Sequence, residues 1–383
     1  EGEVIISIPL NLILTYKKVN ETLSRDYGLK SLSIPKLTSH QLLALYLVLE
    51  SRKGKSSSIN PYVQMLPKDF GSMPICYEDD WVKLVPDYMR VIIESQKSKF
   101  EKDFANVCDF SEAQDKICLR VTREEFLWGW LCVNTRCIYL ENSVCDIRDN
   151  IAISPMLDFL NHSLDAKIKG GFNHSTQSYE ITTFTPYKKG QQVFINYGPH
   201  DNYLTLLDYG FTISGNPFAY VLIDNEFFEY RMPGEDEWIK KFKFELLMEN
   251  GFYGDYTFHV SQISFRLLTA LRLRLLRFDE GDNGTEISIR EGHITLSQYS
   301  QSLIKKWKST LTGQQEIISN ENEVEIYKWI NDICIVKLNE CRSKLEEMKS
   351  QSSLDNIKLL WNDSINILNS VIEYIKNLDQ QDV

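Results

Sequence analysis

Two apolar segments of this sequence end in polar side chains whose types could do chemistry. SPMLDFLNHSLD carries Asn161 and His162, and QVFINYGPHDN carries Asn196 and Tyr197. An unpaired polar group that is buried costs about 1–3 kcal/mol. If both segments lie in a core, their polar ends need a partner, which can be the chain itself, a metal ion or a bound molecule.

The residue types leave several kinds of chemistry open. Asn161 and His162 could form a structural corner, and Tyr197 could end a strand with its hydroxyl in water. Asp158 and His162 could serve a hydrolase together with a serine, but the sequence has no G-x-S-x-G elbow. His162, His174 and Asp158 could bind a metal, although their spacing matches no established zinc pattern.

Composition restricts the class of partner. The formal net charge of −11 argues against nucleic-acid binding and permits a basic protein partner. No segment approaches the roughly 20 apolar residues of a membrane span, and EGEVIISIPLNLILT lacks the basic leader of a signal peptide. The eight cysteines form no C-x-x-C pair. We therefore expect a monomer of the cytosol, the nucleus or both, without metal or membrane, whose cysteines are buried reduced thiols.

The rest of the chain predicts the elements that must position these groups. EVIISI predicts a strand, and TSHQLLALYLVLE predicts a helix that Thr and Ser cap at its start. PYVQMLP lies between two prolines and predicts a short segment on the surface. After a helical block that ends near residue 130, YEITTFTP, QQVFINYG and FAYVLID predict short strands. Apolar stripes at helical spacing return from about residue 235.

Four motifs occur in order along the chain, namely NTRCIY, LDFLNHS, VFINYG and LDYGF. With ISIPLNLILT and PYVQMLPKDF they resemble the SET-domain methyltransferases, in particular the branch typified by Rubisco large-subunit methyltransferase. The resemblance covers most of the chain and is weakest after about residue 280. It implies an α+β fold with a β-rich SET core that contains a pseudoknot (1–15 and 131–224). A helical insert, SET-I (16–130), would split this core, and an all-helical substrate-binding domain (225–383) would follow it.

The resemblance also implies an activity and a set of site residues. The activity is S-adenosylmethionine-dependent methylation of protein lysines, with a histone tail or another protein as substrate. The catalytic residue would be Tyr197, with the cofactor bound by Thr135, Arg136, Asp158, Asn161, His162, Tyr197 and Phe211. The channel for the substrate lysine would be lined by Ile138, Asp158 and Tyr209. No metal is implied.

Two alternatives and one departure accompany this interpretation. A catalytically silent SET fold could hold a peptide, and a relative that methylates histidine has an asparagine two positions after the cofactor arginine. Ile138 stands at that position and cannot hydrogen-bond, which favours lysine. The family's glycine-rich G-x-G-L turn would lie just before Glu1, so we expect the sequence to be a fragment.

Overall fold

The chain divides into two compact units, Glu1–Thr212 and Ile213–Val383. The structure is a computed structural model that describes residues 2–29, 37–140, 150–278, 289–290, 293–294 and 297–381. The first unit combines short sheets with helices and the second is mainly helical, which confirms the predicted α+β fold. The finer division of the chain into a core, an insert and a substrate-binding domain remains a prediction.

The first unit has strands on both sides of a long helical segment. Its strands are β1 (Glu3–Pro9), β2 (Leu14–Thr15), β3 (Cys137–Tyr139), β4 (Ile151–Ile153), β5 (Asn161–His162), β6 (Ile168–Asn173), β7 (Ser178–Thr183) and β8 (Phe194–Ile195). Its helices are α1 (Tyr16–Tyr27), α2 (Ser39–Lys53), α3 (Asn60–Met65), α4 (Asp79–Val82), α5 (Asp87–Ala113), α6 (Arg123–Arg136) and α7 (Asn202–Tyr209). Strand β3 therefore begins directly where α6 ends.

The strands of this unit pair in three small sheets within the described residues. Strand β7 lies antiparallel between β1 and β6, and β4 lies antiparallel between β2 and β3, whereas β5 and β8 pair in parallel. The predicted strand over 3–8 is confirmed by β1. The strand predicted over 191–198 is shorter in the structure, where β8 covers only Phe194–Ile195. Beyond its end, the backbone N–H of Tyr197 donates to the His162 ring and not to a neighbouring strand.

Helices α2 and α6 both begin with a capping box. The hydroxyl of Thr38 accepts the N–H of Gln41, and the Gln41 side chain accepts the N–H of Thr38. Thr122 and Glu125 form the same pair of bonds at the start of α6. Each box satisfies backbone N–H groups that have no partner inside the helix. The predicted helix over 38–50 is confirmed by α2.

A glycine sets how closely α2 and α6 approach each other. A Cβ atom on Gly129 would lie 2.5 Å from the carbonyl oxygen of Ala44 and 3.0 Å from a methyl carbon of Val48. Because that carbonyl is main chain, Gly129→Ala should lower the free energy of unfolding by about 1–3 kcal/mol, as measured by urea unfolding. Gly171→Ala is the control, since its Cβ would meet open space. Equal losses for the two variants would contradict the packing argument.

The second unit adds helices and, within the described residues, two small sheets. Its helices are α8 (Asp224–Glu229), α9 (Glu237–Glu249), α10 (Phe265–Arg274), α11 (Gln298–Leu311), α12 (Asn320–Glu347) and α13 (Asp355–Gln381). Its strands are β9 (Val221–Leu222), β10 (Thr257–His259), β11 (Gln262–Ile263), β12 (Ile289–Arg290) and β13 (His293–Ile294). The strand predicted over 218–224 is β9, which is only two residues long. It pairs antiparallel with β10 inside this unit. No described helix is long and apolar enough to span a bilayer.

A buried cluster of three charges lies in the second unit. Glu235 accepts from Lys243 at 2.7 Å and also from the guanidinium of Arg274. All three side chains are at most 2% exposed. Lys243 also donates to the carbonyls of Arg274 and Leu276, and burial lowers the pKa of Lys243 to about 8. One carboxylate therefore neutralises two cations that cannot reach water.

The described cysteines carry free thiols, although not all are buried as predicted. They are Cys76, Cys108, Cys118, Cys132, Cys137, Cys334 and Cys341, and Cys145 lies outside the described residues. Cys118 is exposed because the short turn Ile117–Leu119 buries only Leu119. Desolvation raises the pKa of Cys132, Cys334 and Cys341 to about 12, so these buried thiols stay protonated at neutral pH.

Candidate active site

The two polar segments meet as the parallel pair of β5 and β8. Asn161 is opposite Phe194 and His162 is opposite Ile195. Just after β8, the backbone N–H of Tyr197 donates to Nδ1 of His162 at 3.0 Å. The chain itself is therefore one partner of the imidazole.

His162 keeps one polar atom without a partner. Because Nδ1 accepts a hydrogen bond, the proton of the neutral ring is on Nε2, which is buried and has no hydrogen bond within the structure. Desolvation lowers the pKa of His162, and the nearby His200 lowers it further, so the ring is neutral at pH 7. Asn161 is exposed instead, so water can satisfy its amide. The cost of burial thus applies to His162 and not to Asn161.

The Tyr197 hydroxyl points back to the first segment. It donates to the carbonyl oxygen of Leu160 at 2.9 Å. The Tyr197 ring lies 5.0 Å from the rings of both His162 and Tyr209, and Phe211 lies 6.1 Å from Tyr209. Burial raises the pKa of Tyr197, and it raises the pKa of Tyr209 to about 12. Both phenols therefore stay protonated at neutral pH inside an aromatic cluster.

Arg136, the last residue of α6, holds Asp158. One guanidinium nitrogen donates to the Asp158 carbonyl oxygen at 2.9 Å and lies 3.4 Å from its Oδ2. The Asp158 side chain is fully buried, and desolvation raises its pKa although Tyr62 and Arg136 lower it. Nε of Arg136 and Oδ1 of Asp158 are buried without a partner. Two residues earlier Met156 adopts φ 79°, a left-handed conformation that costs a non-glycine residue about 1–2 kcal/mol.

Tyr62 is a site residue that the sequence did not reveal. The segment 61–67 was predicted to lie on the surface, but it begins within α3, and Tyr62 is only 9% exposed. Its hydroxyl donates to Oδ2 of Asp158 at 2.7 Å. The only hint in the sequence is the tyrosine itself, since a buried tyrosine hydroxyl usually finds a partner, but the segment does not indicate which one.

The remaining predicted residues have ordinary local contacts. The hydroxyl of Thr135 donates to the Leu131 carbonyl within α6, and Ile138 is half-buried in β3. Their roles stay predictions. His174 follows β6 with its ring 5.2 Å from Phe172, and the described residues hold no cluster of three His, Cys, Asp or Glu side chains suited to a metal. The metal alternative built on His174 thus gains no support.

Comparisons with known proteins agree on one family. A family model described as SET domain matches residues 1–198. SET domain-containing protein 4 of Homo sapiens is 32% identical over 400 residues, which cover 99% of this chain and 83% of that protein. Ribosomal lysine N-methyltransferase set11 of Schizosaccharomyces pombe is 26% identical over 98% of this chain and 88% of its own length. The crystal structure of the SET domain of LSMT bound to lysine and AdoHcy is similar in fold, with a TM-score of 0.62 at 18% identity over 100% of this chain and 83% of that chain.

Proposed function

This chain belongs to the SET-domain family, and on that premise we propose that it is an S-adenosylmethionine-dependent protein-lysine N-methyltransferase. The observation that carries the proposal is the junction of the two polar segments. There the Tyr197 backbone binds His162, and the Tyr197 hydroxyl binds the Leu160 carbonyl. The ribosomal lysine N-methyltransferases among its relatives support lysine as the acceptor.

The residues at this junction fit the cofactor. Nε of Arg136 and Nε2 of His162 are buried donors without partners, and S-adenosylmethionine presents a carboxylate and adenine nitrogens as acceptors. We propose that Arg136 holds the carboxylate and that Phe211 packs against the adenine. Contacts to the cofactor would also come from Thr135, Asp158, Asn161, His162 and Tyr197. When bound, the cofactor supplies an electrophilic methyl group.

The acceptor side must deliver a neutral amine. Free lysine has a pKa near about 10.4, so it is almost fully protonated at neutral pH. Apolar walls disfavour the ammonium form, and we propose that Ile138 and Tyr209 supply these walls and that the backbone of Asp158 completes the channel. The Tyr197 hydroxyl donates to Leu160, so its own oxygen is free to accept an amine N–H and to orient the lone pair.

The nature of the acceptor follows from one position on β3. Ile138 has no polar atom with which to hold an imidazole ring, which supports lysine over histidine. The intact pairing of Tyr197 and His162 supports an active enzyme over a silent peptide-binding module.

The finer properties are also proposals. We propose that the substrate is a histone tail or another basic protein segment, because the net charge is −11. We propose that residues 225–383 bind the substrate protein, and that the enzyme is a monomer that does not read nucleic-acid sequence. We propose that it works in the cytosol, the nucleus or both.

Transfer of a labelled methyl group tests the activity. Purified protein is incubated with methyl-labelled S-adenosylmethionine and cell lysate, and acceptor residues are identified by mass spectrometry. Label on lysine is the expected result. Label on histidine alone, or binding of peptides without any transfer, would overturn the proposal.

Cofactor binding should depend on Arg136. At about 100 times its Kd, a ligand stabilises the folded state by about 2.7 kcal/mol. Arg136→Gln removes a charge-assisted bond and should weaken cofactor binding by about 10- to 100-fold, measured as lost thermal stabilisation. Arg123→Gln at the exposed start of the same helix is the control and should keep the stabilisation. Equal stabilisation of both variants would rule out this role for Arg136.

A further inference from the structure

A tyrosine of the helical segment reaches the candidate active site. The Tyr62 hydroxyl and Oδ2 of Asp158 are 2.7 Å apart although 96 positions separate the two residues. Burial raises the pKa of Tyr62, so its hydroxyl keeps its proton and is the donor. The acceptor is a fully buried carboxylate. Taking a charge out of water costs several kcal/mol unless donors replace the lost hydration.

Few groups near Asp158 are available to replace the lost hydration of its carboxylate. From α6, Arg136 supplies a positive charge at 3.4 Å, while Cys132 is a buried neutral thiol. Tyr197 follows β8, and its hydroxyl already donates to the Leu160 carbonyl oxygen. Besides the backbone N–H of Asp158 itself, which also favours the charged form, the carboxylate depends on Arg136 and Tyr62, and Tyr62 makes the shorter side-chain contact.

The short segment 158–160 also carries the carbonyl groups to which Arg136 and Tyr197 donate. Arg136 donates to the carbonyl of Asp158, and Tyr197 donates to the carbonyl of Leu160. Tyr62 holds the side chain of the first of these residues. Two residues of the segment after the strained Met156, Asp158 and Leu160, are thus held from three separate parts of the chain.

We propose that Tyr62 is a positioning residue of the methyl-transfer site, which fixes the Asp158 carboxylate and, through it, the 158–160 backbone against which Tyr197 orients the amine. The inference rests on the proposed function. Tyr62 need not touch the substrate or the cofactor in this role. It links the α3 helix to the catalytic tyrosine.

Loss of the hydroxyl has two expected effects. Asp158 loses a donor that favours its ionised form, so its pKa rises further. The 158–160 segment gains freedom, and a misplacement of about 1 Å can slow a reaction by about 100-fold. We expect Tyr62→Phe to lower kcat by about 10- to 100-fold with KM for the peptide unchanged, and to shift the acid limb of the rate profile to higher pH.

The matched control is Tyr77→Phe. Tyr77 is 7% exposed and donates its hydroxyl to the Ser72 carbonyl at 3.0 Å and not to Asp158. Each variant deletes one buried tyrosine hydroxyl, so a general loss of stability, followed by thermal unfolding, affects both. A second readout needs no activity: the carboxyl ¹³C signal of Asp158, assigned by its absence in Asp158→Asn, is titrated by NMR. Its midpoint should rise in Tyr62→Phe and stay at the wild-type value in Tyr77→Phe.

The outcomes separate the inference from the proposed function. A wild-type protein that transfers no methyl group defeats the proposed function, while the NMR titration still decides whether Tyr62 holds Asp158. An active wild type with equal kcat and equal Asp158 titration in Tyr62→Phe overturns the inference. A fall in kcat that Tyr77→Phe reproduces also overturns it, because the effect is then structural.

Discussion

Tyr197→Phe should slow methyl transfer by about 10²- to 10³-fold, the range expected when one preorganised hydrogen-bonding group is removed from a site. The ring and its contacts with His162 and Tyr209 remain, so the fold and the cofactor site stay intact. The hydroxyl is lost, and with it the bond to the Leu160 carbonyl and the oxygen that we propose orients the amine. Initial rates with labelled S-adenosylmethionine at saturating peptide measure the effect.

Tyr139→Phe is the control for this change. Tyr139 lies on β3, also in the first unit, but its side chain is 64% exposed, so its hydroxyl is in water. The methyl-transfer rate of Tyr139→Phe should equal that of the wild type. Unchanged transfer by Tyr197→Phe would show that the phenol oxygen has no part in the reaction and would remove the basis of the mechanism.

Glu235→Gln should lower the free energy of unfolding by about 3–5 kcal/mol, the cost of removing one partner from a buried ion pair. Glutamine keeps the shape of the side chain and loses its charge, so Arg274 is left as a buried cation without a counterion, and Lys243 loses the carboxylate that keeps its pKa from falling below about 8. This loss is a large part of the roughly 5–15 kcal/mol that stabilises a typical protein. Thermal and urea unfolding measure this loss.

Glu237→Gln offers a matched comparison. Glu237 approaches Arg231 at 4.0 Å, but both side chains are at least 75% exposed, and exposed ion pairs contribute about 0–1 kcal/mol. This variant should unfold like the wild type. Similar behaviour of the two variants would mean that Glu235 is not the counterion that keeps this cluster folded.

The local signals in the sequence predicted much of this fold. The helix predicted from TSHQLLALYLVLE with a Thr cap forms as α2, where Thr38 caps the first turn. The strand β1 also lies where EVIISI predicts it. These features depend on residues close together in the chain, which is why the sequence alone reveals them.

The contacts that build the site are long-range and could not be derived in the same way. Tyr62 and Asp158 come together only after the sheets and helices pack, and no local pattern in PYVQMLP indicates a donor to a distant carboxylate. Strands of two residues such as β9 carry no usable periodicity, so the sequence could not show that β9 pairs with β10. The exposure of Asn161 likewise depends on packing, since its neighbour His162 on the same short strand is half-buried.

Helix α6 starts at its capping box and ends at Arg136, and β3 follows with no loop between them. Each residue of an α-helix adds about 1.5 Å and turns the chain by about 100°. Deleting one residue within this helix would swing the guanidinium more than a quarter turn away from Asp158, although every catalytic side chain would remain. With the proposed role of Arg136 in holding the cofactor, single-residue insertions and deletions in this stretch should abolish cofactor binding even where point substitutions are tolerated. The length of α6 therefore determines the position of the Arg136 guanidinium as much as the residue type does.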